Sequence, residues 1–453
     1  MNAEPRQFDV IVLGAGAAGL MCAAVAGQRG RHVALLDHNG QPGRKILISG
    51  GGRCNFTNLH CGPGNFLSQN KHFAKSALAL YQPRNFLEMV ERYGIPWHEK
   101  TLGQLFCDGS ARAILDMLLA ECEQGGVEVI LNAHGIQVEA ASGGFRVSSS
   151  QGEFAAGALV VATGGLSIPK LGATGLGYEL ARQFKLEVVA PRPALVPLLL
   201  GGDEAGWTAL AGVAAEVEAW AEGEDRAAAK GRKARKAREK QASAPNGSID
   251  LARSAAGAQV ATGQLATGPA DSSLPVIRLE GPRFREKMLV THRGLSGPAI
   301  LQASSYWRPG ADLMVDFAPG FAAQADILGA LRQEGARRDE AALKQALRAL
   351  LPQRLANYVA EAGGPKGWSN AALEARELGL RRWTFHPVGT EGFDKAEVTA
   401  GGVDTSGLQA RTMEARAVPG LFFIGEAVDV TGQLGGFNFQ WAWASGVAAG
   451  RAV

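Results

Sequence analysis

Gly14-Ala15-Gly16-Ala17-Ala18-Gly19 is the first place in this chain where residue types and spacing point to chemistry. The pattern GxGxxG carries meaning only between a strand and a helix. Its first glycine permits a tight turn, its second lets backbone amides approach a pyrophosphate, and its third lets the helix pack on the strand. The amides that open the helix then face the phosphates. Such a site needs a carboxylate about 20 residues on, to hold a ribose hydroxyl. Asp37 stands 23 positions beyond Gly14. An Asp there favours an unphosphorylated ribose, as in FAD or NAD. A merely tight strand–helix packing is the competing reading.

Two further groups separate FAD from NAD. Gly43-Arg44-Lys45-Ile46-Leu47-Ile48-Ser49-Gly50-Gly51-Gly52-Arg53-Cys54-Asn55 follows Asp37 closely and offers open backbone amides with three cations. That combination suits a pyrophosphate and an electron-rich ring edge. Residues 158–165 (ALVVATGG) read as a strand ending in the small turn Ala162-Thr163-Gly164-Gly165. Residues 420–446 place Gly425, Glu426 and Asp429 at a strand end, before Gly435-Gly436 and a helix starting near Asn438 and Phe439. Distant segments converging on one cofactor fit an extended FAD better than a compact NAD half-site. A flavin carries the redox chemistry itself, so no metal or Ser–His–Asp site is needed. No His/Cys/Asp cluster stands at metal-ligand spacing.

Candidates for substrate chemistry are fewer. Cys54 could be redox-active beside a flavin with Cys61 as partner, although Cys-x6-Cys is not a usual dithiol spacing. Packing or cofactor contact is the plainer reading of Cys54. His292 and Arg293, before Gly294 and Ser296-Gly297-Pro298, offer either an anion-binding surface or a strand–helix turn. Asn438 and Gln440 could orient a substrate.

The elements that must position these residues follow from periodicity. Residues 10–13 read as a short apolar strand, 17–28 as a helix, and 31–36 as a second strand. Three successive glycines, Gly50 to Gly52, mark a loop that cannot be helix interior. Helices are expected within 71–91 and over 110–124, short strands within 127–154, and a buried strand over 158–162. Beyond Pro191, strands are expected at 194–200 and 213–220, then strand, turn and helix across 284–301. Helices dominate 322–380, and strands return at 383–386, 396–399 and 421–425 before a C-terminal helix. This order predicts an α/β nucleotide-binding domain (1–190 and 396–453) interrupted by a β-rich and helical substrate domain (191–395).

Composition narrows the class. Glycine supplies 60 of 453 residues, about twice the usual share, without a collagen period. The formal charge is only +3. Residues 221–274 carry that whole excess, with nine Lys/Arg against six Asp/Glu and no aromatic residue or histidine. The stretch reads as a disordered basic loop. Without aromatics for base stacking, an RNA-contacting arm is the lesser reading. Five cysteines, none beyond Cys122, suggest a reducing cytoplasm rather than a disulfide framework. Residues 10–27 are uncharged, yet their order of strand, glycine turn and small-residue helix argues against a membrane span.

The segments GRKILISGGGRCNFTN, ATGG, THRGLSGPAIL, AEVTAGGV and GEAVDVTGQLGGFNFQWA resemble the aminoacetone oxidase-like (BaiN-type) FAD-dependent oxidoreductases. The resemblance covers nearly the whole chain outside 221–274. It departs from the family pattern in that insertion and in Cys107, where Pro is expected. The fold it implies is a Rossmann-like FAD-binding domain of the two-dinucleotide-binding type with an inserted domain. It implies FAD contacts at Gly14, Gly16, Ala18, Asp37, Arg44, Lys45, Ser49, Arg53, Cys54 and Asn55. At the other end it implicates Thr163, Gly164, Gly425, Glu426, Asp429, Gly435, Gly436, Asn438 and Phe439, with Asp429 toward the ribityl chain. Ala17, Gly19, Gly43, Gly50, Gly51 and Ala162 belong to the same turns.

The expectation is therefore a cytoplasmic FAD enzyme moving a hydride or electron pair between flavin and a small organic substrate. NAD(P)H would serve, if used, as a transient electron donor, and neither nucleic acid nor membrane is expected as partner. Two competitors stay open: an FAD-dependent RNA-modifying or RNA-binding protein using the basic arm, and a non-catalytic flavin sensor. Oligomeric state is left open.

Overall fold

The computed structural model describes residues 4–224, 278–321, 326–362 and 367–453. Its first sheet forms because several apolar runs have no polar face to show water. Val33–Leu36 is buried at every position, as are the last four residues of Arg6–Leu13 and the last three of Gly152–Val161. Strands buried on both faces belong in a parallel sheet covered by helices. Here Glu128–Ile130, Val33–Leu36, Arg6–Leu13 and Gly152–Val161 lie side by side in parallel, with Leu421–Phe423 added beyond the last. The ends of these parallel strands are followed by Gly14, Asp37, Ala162 and Ile424-Gly425. Open α/β sheets bind ligands at that carboxyl edge.

Gly152–Val161 corrects the expectation of two strands, one inside 127–154 and one over 158–162. It is a single strand with two surroundings. Its first half closes an antiparallel hairpin with Gly144–Ser149, and Leu159, Val160 and Val161 pair with the returning Leu421–Phe423. A second helical layer completes this unit. Ala17–Gln28, built of small residues, is buried along most of its length, and Phe437–Ala452 buries twelve of its 16 residues. Trp441 and Trp443 in that last helix are buried, and their indole N–H groups donate to the carbonyls of Gly425 and Phe56 at 2.9 and 2.8 Å. Phe86 stacks on Trp443 at 4.4 Å between ring centres.

The second sheet is antiparallel and has its own core. Ala214–Glu224 lies between Phe284–Val290 and Asp312–Asp316, with Trp383–Phe385 beyond. Helices Glu340–Arg348, Gln353–Ala362 and Asn370–Arg381 pack Leu347, Leu355 and Leu373 into this core. Ala221–Glu224 corrects the expected start of the basic loop, because these residues continue a strand paired with Arg278–Glu280. The rest of that loop lies outside the described residues.

The two sheets are joined by the pair Val188–Ala194 and Val398–Val403. The strand expected over 194–200 is broken there. Leu195 has a left-handed φ of 49°, and the Leu195 and Val196 amides donate to the Ser305 and Ser304 hydroxyls rather than to a neighbouring strand. Only Leu198–Leu199 resumes pairing. The glycine triplet behaves as its composition demands: inside Arg44–Gly52 the backbone at Ser49, Gly50 and Gly51 is not helical. Among the described residues no helix is long and apolar enough to cross a membrane.

Candidate functional site

The glycine turn is held from both sides. Gly14 has φ +107°, and a Cβ there would stand 2.5 Å from the Ala162 carbonyl oxygen. A Cβ on Gly19 would meet the Gly14 carbonyl at 1.9 Å, so Gly19 serves the close packing of helix on turn. Gly16 is different. Its backbone is ordinary extended chain, and a Cβ there would meet no heavy atom within 4 Å. It faces a cleft of about 690 Å³, within the range of roughly 300–1,000 Å³ typical of ligand pockets. Asp37 closes the turn: its carboxylate accepts from the Ala15 amide at 2.6 Å and from the Asn39 amide at 2.8 Å.

Most sequence-predicted residues meet in this cleft. Gly14, Gly16, Ala17, Ala18, Asp37, Gly43, Arg44, Lys45, Ser49, Gly50, Gly51 and Asn55 line it from the N-terminal part. Ala162, Thr163 and Gly164 follow the central strand, and Gly425, Glu426, Gly435, Gly436, Asn438 and Phe439 come from the C-terminal segment. Gly436 is confined there with φ +93°, where a Cβ would stand 2.4 Å from the Thr57 carbonyl oxygen.

Six predicted residues are placed elsewhere, and each has a physical reason. Gly19 lies beneath the turn. Arg53 is exposed outside the cleft lining. Cys54 is wholly buried with φ 50°, and burial pushes its thiol up to about 12, so no thiolate is available near neutrality. Neither Cys54 nor Cys61 is in a disulfide. Asp429 is buried away from the lining and accepts from the Gln69 amide at 2.9 Å. His292 is exposed and off the cleft, and its neighbour Arg293 pairs with Glu391 at 3.4 Å. Gln440 is fully buried: it accepts from the Thr57 hydroxyl at 2.6 Å and donates to the Tyr81 carbonyl at 2.8 Å. Asn438 does line the cleft, but its amide clamps the Gly432 loop, accepting from the Gly432 N–H and donating to the Gly432 carbonyl.

The electrostatic centre of the cleft is a network that sequence reasoning assembled only in part. Lys45 Nζ donates to Glu426 Oε2 and Ser167 Oγ, both at 2.7 Å. Ser167 Oγ and the Thr399 amide donate to Glu426 Oε1 at 2.9 Å. Burial alone would push the Glu426 carboxyl up, but the Lys45 charge and these hydrogen bonds together hold it below the usual carboxylate range. Glu286 and Glu397 complete the wall nearest the second sheet, with Leu195 and Pro298. Thr399 and Glu397 lie inside AEVTAGGV, so that block was the available signal for them. Ser167 and Glu286 had none.

Two features test whether these residues suit a flavin dinucleotide. The opening of helix Ala17–Gln28 presents amides that have no partner within the helix and no acidic residue in its first turn. Gly16 leaves the space of a side chain open beside them. Thr163 contributes to the cleft wall, but its hydroxyl is buried on the Gly177 side and finds no hydrogen-bond partner among the described residues. The residues fit an extended dinucleotide such as FAD.

Residues 8–452 match the family model described as HI0933-like protein Rossmann domain. The chain belongs to that family. It is an FAD-dependent oxidoreductase. Similar over nearly the full length are proteins named ribosomal RNA dihydrouridine synthase. The one from Escherichia coli strain K12 is 43% identical, and the one from Haemophilus influenzae is 38% identical. Each alignment covers 98% of both chains. A 3-dehydro-bile acid delta(4,6)-reductase from Clostridium scindens is 27% identical, again over 98% of each chain. The resemblance drawn from the sequence blocks therefore holds at the level of family and redox class.

Proposed function

We propose that this chain reduces a uridine of ribosomal RNA to dihydrouridine, with FAD as hydride carrier. The observation that carries the reading is the 43% identity, across 98% of both chains, to the Escherichia coli ribosomal RNA dihydrouridine synthase. On this reading the substrate is a base presented on RNA, the alternative left open by the sequence, rather than the small organic molecule expected first. The reductive sense is shared with the 27% identical bile acid reductase.

Reduced FAD supplies a hydride, and uracil accepts one because its C5=C6 bond is conjugated with the C4 carbonyl. The chain's own residues do the rest. Amides of Ala17 and Ala18 at the helix start hold the pyrophosphate, and Gly16 lets them approach it. Asp37 holds the adenosine ribose. Arg44, tied to the Asn39 side chain at 2.7 Å, sets positive charge beside the phosphates. The Gly435-Gly436 turn and the start of helix Phe437–Ala452 direct a positive dipole end to the flavin edge, favouring negative charge there. We assign electron supply to NAD(P)H acting as a transient donor.

The test is anaerobic. Holoenzyme reduced by dithionite is mixed with ribosomal RNA from cells lacking the gene, and the return of oxidised-flavin absorbance is followed. Reoxidation with formation of dihydrouridine in the RNA is expected. Reoxidation by a cyclic conjugated enone but not by RNA would move the substrate class back to small molecules.

A further inference from the structure

Reduction of a conjugated double bond needs a proton as well as a hydride, and the cleft holds few groups free to give one. Asp37 accepts from two backbone amides, and His38 lies beside it at 3.7 Å, at the nucleotide end. Lys45 and Glu426 are paired to each other. Glu286 accepts from the Gln302 side chain at 2.7 Å. Lys100 sits over the Phe106 ring, 5.3 Å from its centre. Glu397 stands apart from all of these. Its carboxyl lines the cleft and makes no hydrogen bond or ion pair among the described residues. Its backbone is fixed, because its amide donates to the Leu195 carbonyl at 3.2 Å and the next residue, Val398, pairs with Ala194.

We propose that Glu397 is the proton donor of the reaction, delivering its carboxyl proton to the substrate carbon next to the carbonyl. This rests on the reading of the protein as a reductase of a conjugated double bond. In uracil the hydride from reduced flavin forms the new C–H bond at C6, and the π pair of C5=C6 takes the Glu397 proton at C5. Glu397 is left as carboxylate and regains a proton from solvent at the cleft mouth. The electron pair for the new C6–H bond would come from the bound flavin, and a reduced nicotinamide would restore it.

The surroundings suit that role. Glu397 is exposed to the open cleft, and the surrounding wall desolvates its carboxyl and raises it above the ordinary range, with Lys45 opposing. An acid protonated closer to neutrality is the better donor there. The charge that acts on it is Lys45 from Arg44–Gly52; Glu426 beyond Lys45 and Glu286 from Phe284–Val290 line the same cleft.

Glu397→Gln and Glu397→Asp holoenzymes, reduced anaerobically by dithionite, test this with ribosomal RNA lacking the modification and, in parallel, a cyclic enone. Expected for Glu397→Gln are unchanged FAD content, unchanged RNA affinity and a fall in reoxidation rate of about 10²–10⁴-fold. Glu397→Asp should recover part of the rate. The wild-type rate should decline as pH rises through the Glu397 titration, and the Gln variant should lack that limb. Without any substrate, the infrared carboxylic-acid band titrating above the usual carboxylate range should be weaker in Glu397→Gln than in wild type by one carboxyl, with the raised carboxyls of Glu286 and Asp429 still contributing. A Gln variant with wild-type rate and pH profile would overturn the proposal, as would an unaltered band. The outcomes stay distinguishable: wild type active on the enone alone sinks the RNA reading and leaves Glu397 judged on the enone. Wild type inert to both sinks the reductase reading and this proposal with it.

Discussion

Gly16→Ala separates cofactor binding from folding. A methyl at Gly16 meets no protein atom within 4 Å and needs no left-handed backbone, because Gly16 has φ −84° and ψ −171°. Two small effects on the apoprotein oppose each other. Alanine restricts the unfolded chain, stabilising by about 0.4–1 kcal/mol, but it is a poorer residue at a helix start by a similar amount. Apoprotein stability should therefore stay within about 1 kcal/mol of wild type. FAD meets the methyl directly. Intruding one methyl into a packed contact costs about 1–3 kcal/mol, which weakens FAD binding by a factor of roughly 5–150. At free FAD equal to about 100 times the wild-type Kd, the ligand stabilises wild type by about 2.7 kcal/mol. A variant bound about 100-fold more weakly keeps only about 0.4 kcal/mol of that. The assay pairs FAD fluorescence titration with urea unfolding, with and without FAD. Unchanged FAD affinity would refute the claim that the Gly16 backbone abuts the cofactor. Gly14→Ala is the control. With φ +107° and a Cβ 2.5 Å from the Ala162 oxygen, it should destabilise the apoprotein itself by about 2–5 kcal/mol.

Other expectations follow from the same contacts. Lys45→Met leaves the buried Glu426 carboxylate without its cation, and because Lys45 is itself 37% exposed the loss at pH 7 should be about 1–3 kcal/mol. The Glu426 carboxyl is depressed in the folded protein, so its contribution is present above the ordinary carboxylate pKa and lost as pH falls through the folded value. Urea unfolding should accordingly show the wild-type advantage over Lys45→Met shrinking in acid, and a pH-independent difference would contradict the pairing. Gln440→Leu strands the Thr57 hydroxyl and the Tyr81 carbonyl. It should lower stability by about 1–3 kcal/mol while leaving KM for RNA unchanged, whereas a raised KM would restore Gln440 as a substrate contact. Cys54, with its thiol near 12, should resist a disulfide reagent in the native protein and react once it is unfolded. Cys54→Ala should keep turnover, and loss of turnover without loss of FAD would reinstate thiol chemistry.

The turn and its flanking elements were legible because their causes are local. The helix expected over 17–28 is Ala17–Gln28 as observed, since small residues after a glycine turn pack in one way only. The glycine triplet was legible for the same reason. What sequence could not show was the use of side chains over long separations. Lys45 and Glu426 are 381 positions apart, and nothing near either residue names the other. Asn438 and Gln440 look alike in the sequence as polar residues at a helix start. One lines the cleft while holding a loop, and the other is spent inside the core. Glu397 went unassigned because its significance lies in making no bond, which only the fold displays. The break at Leu195 was hidden too, because the hydroxyls of Ser304 and Ser305 that take its place in the pairing arrive from far along the chain.

The most direct measurement is mass spectrometry of ribosomal RNA from three strains: one with the gene, one with it deleted, and the deletion complemented by the wild-type chain. One uridine heavier by two hydrogens should be present in the first, missing in the second and restored in the third. Indistinguishable ribosomal RNA from all three would contradict the account.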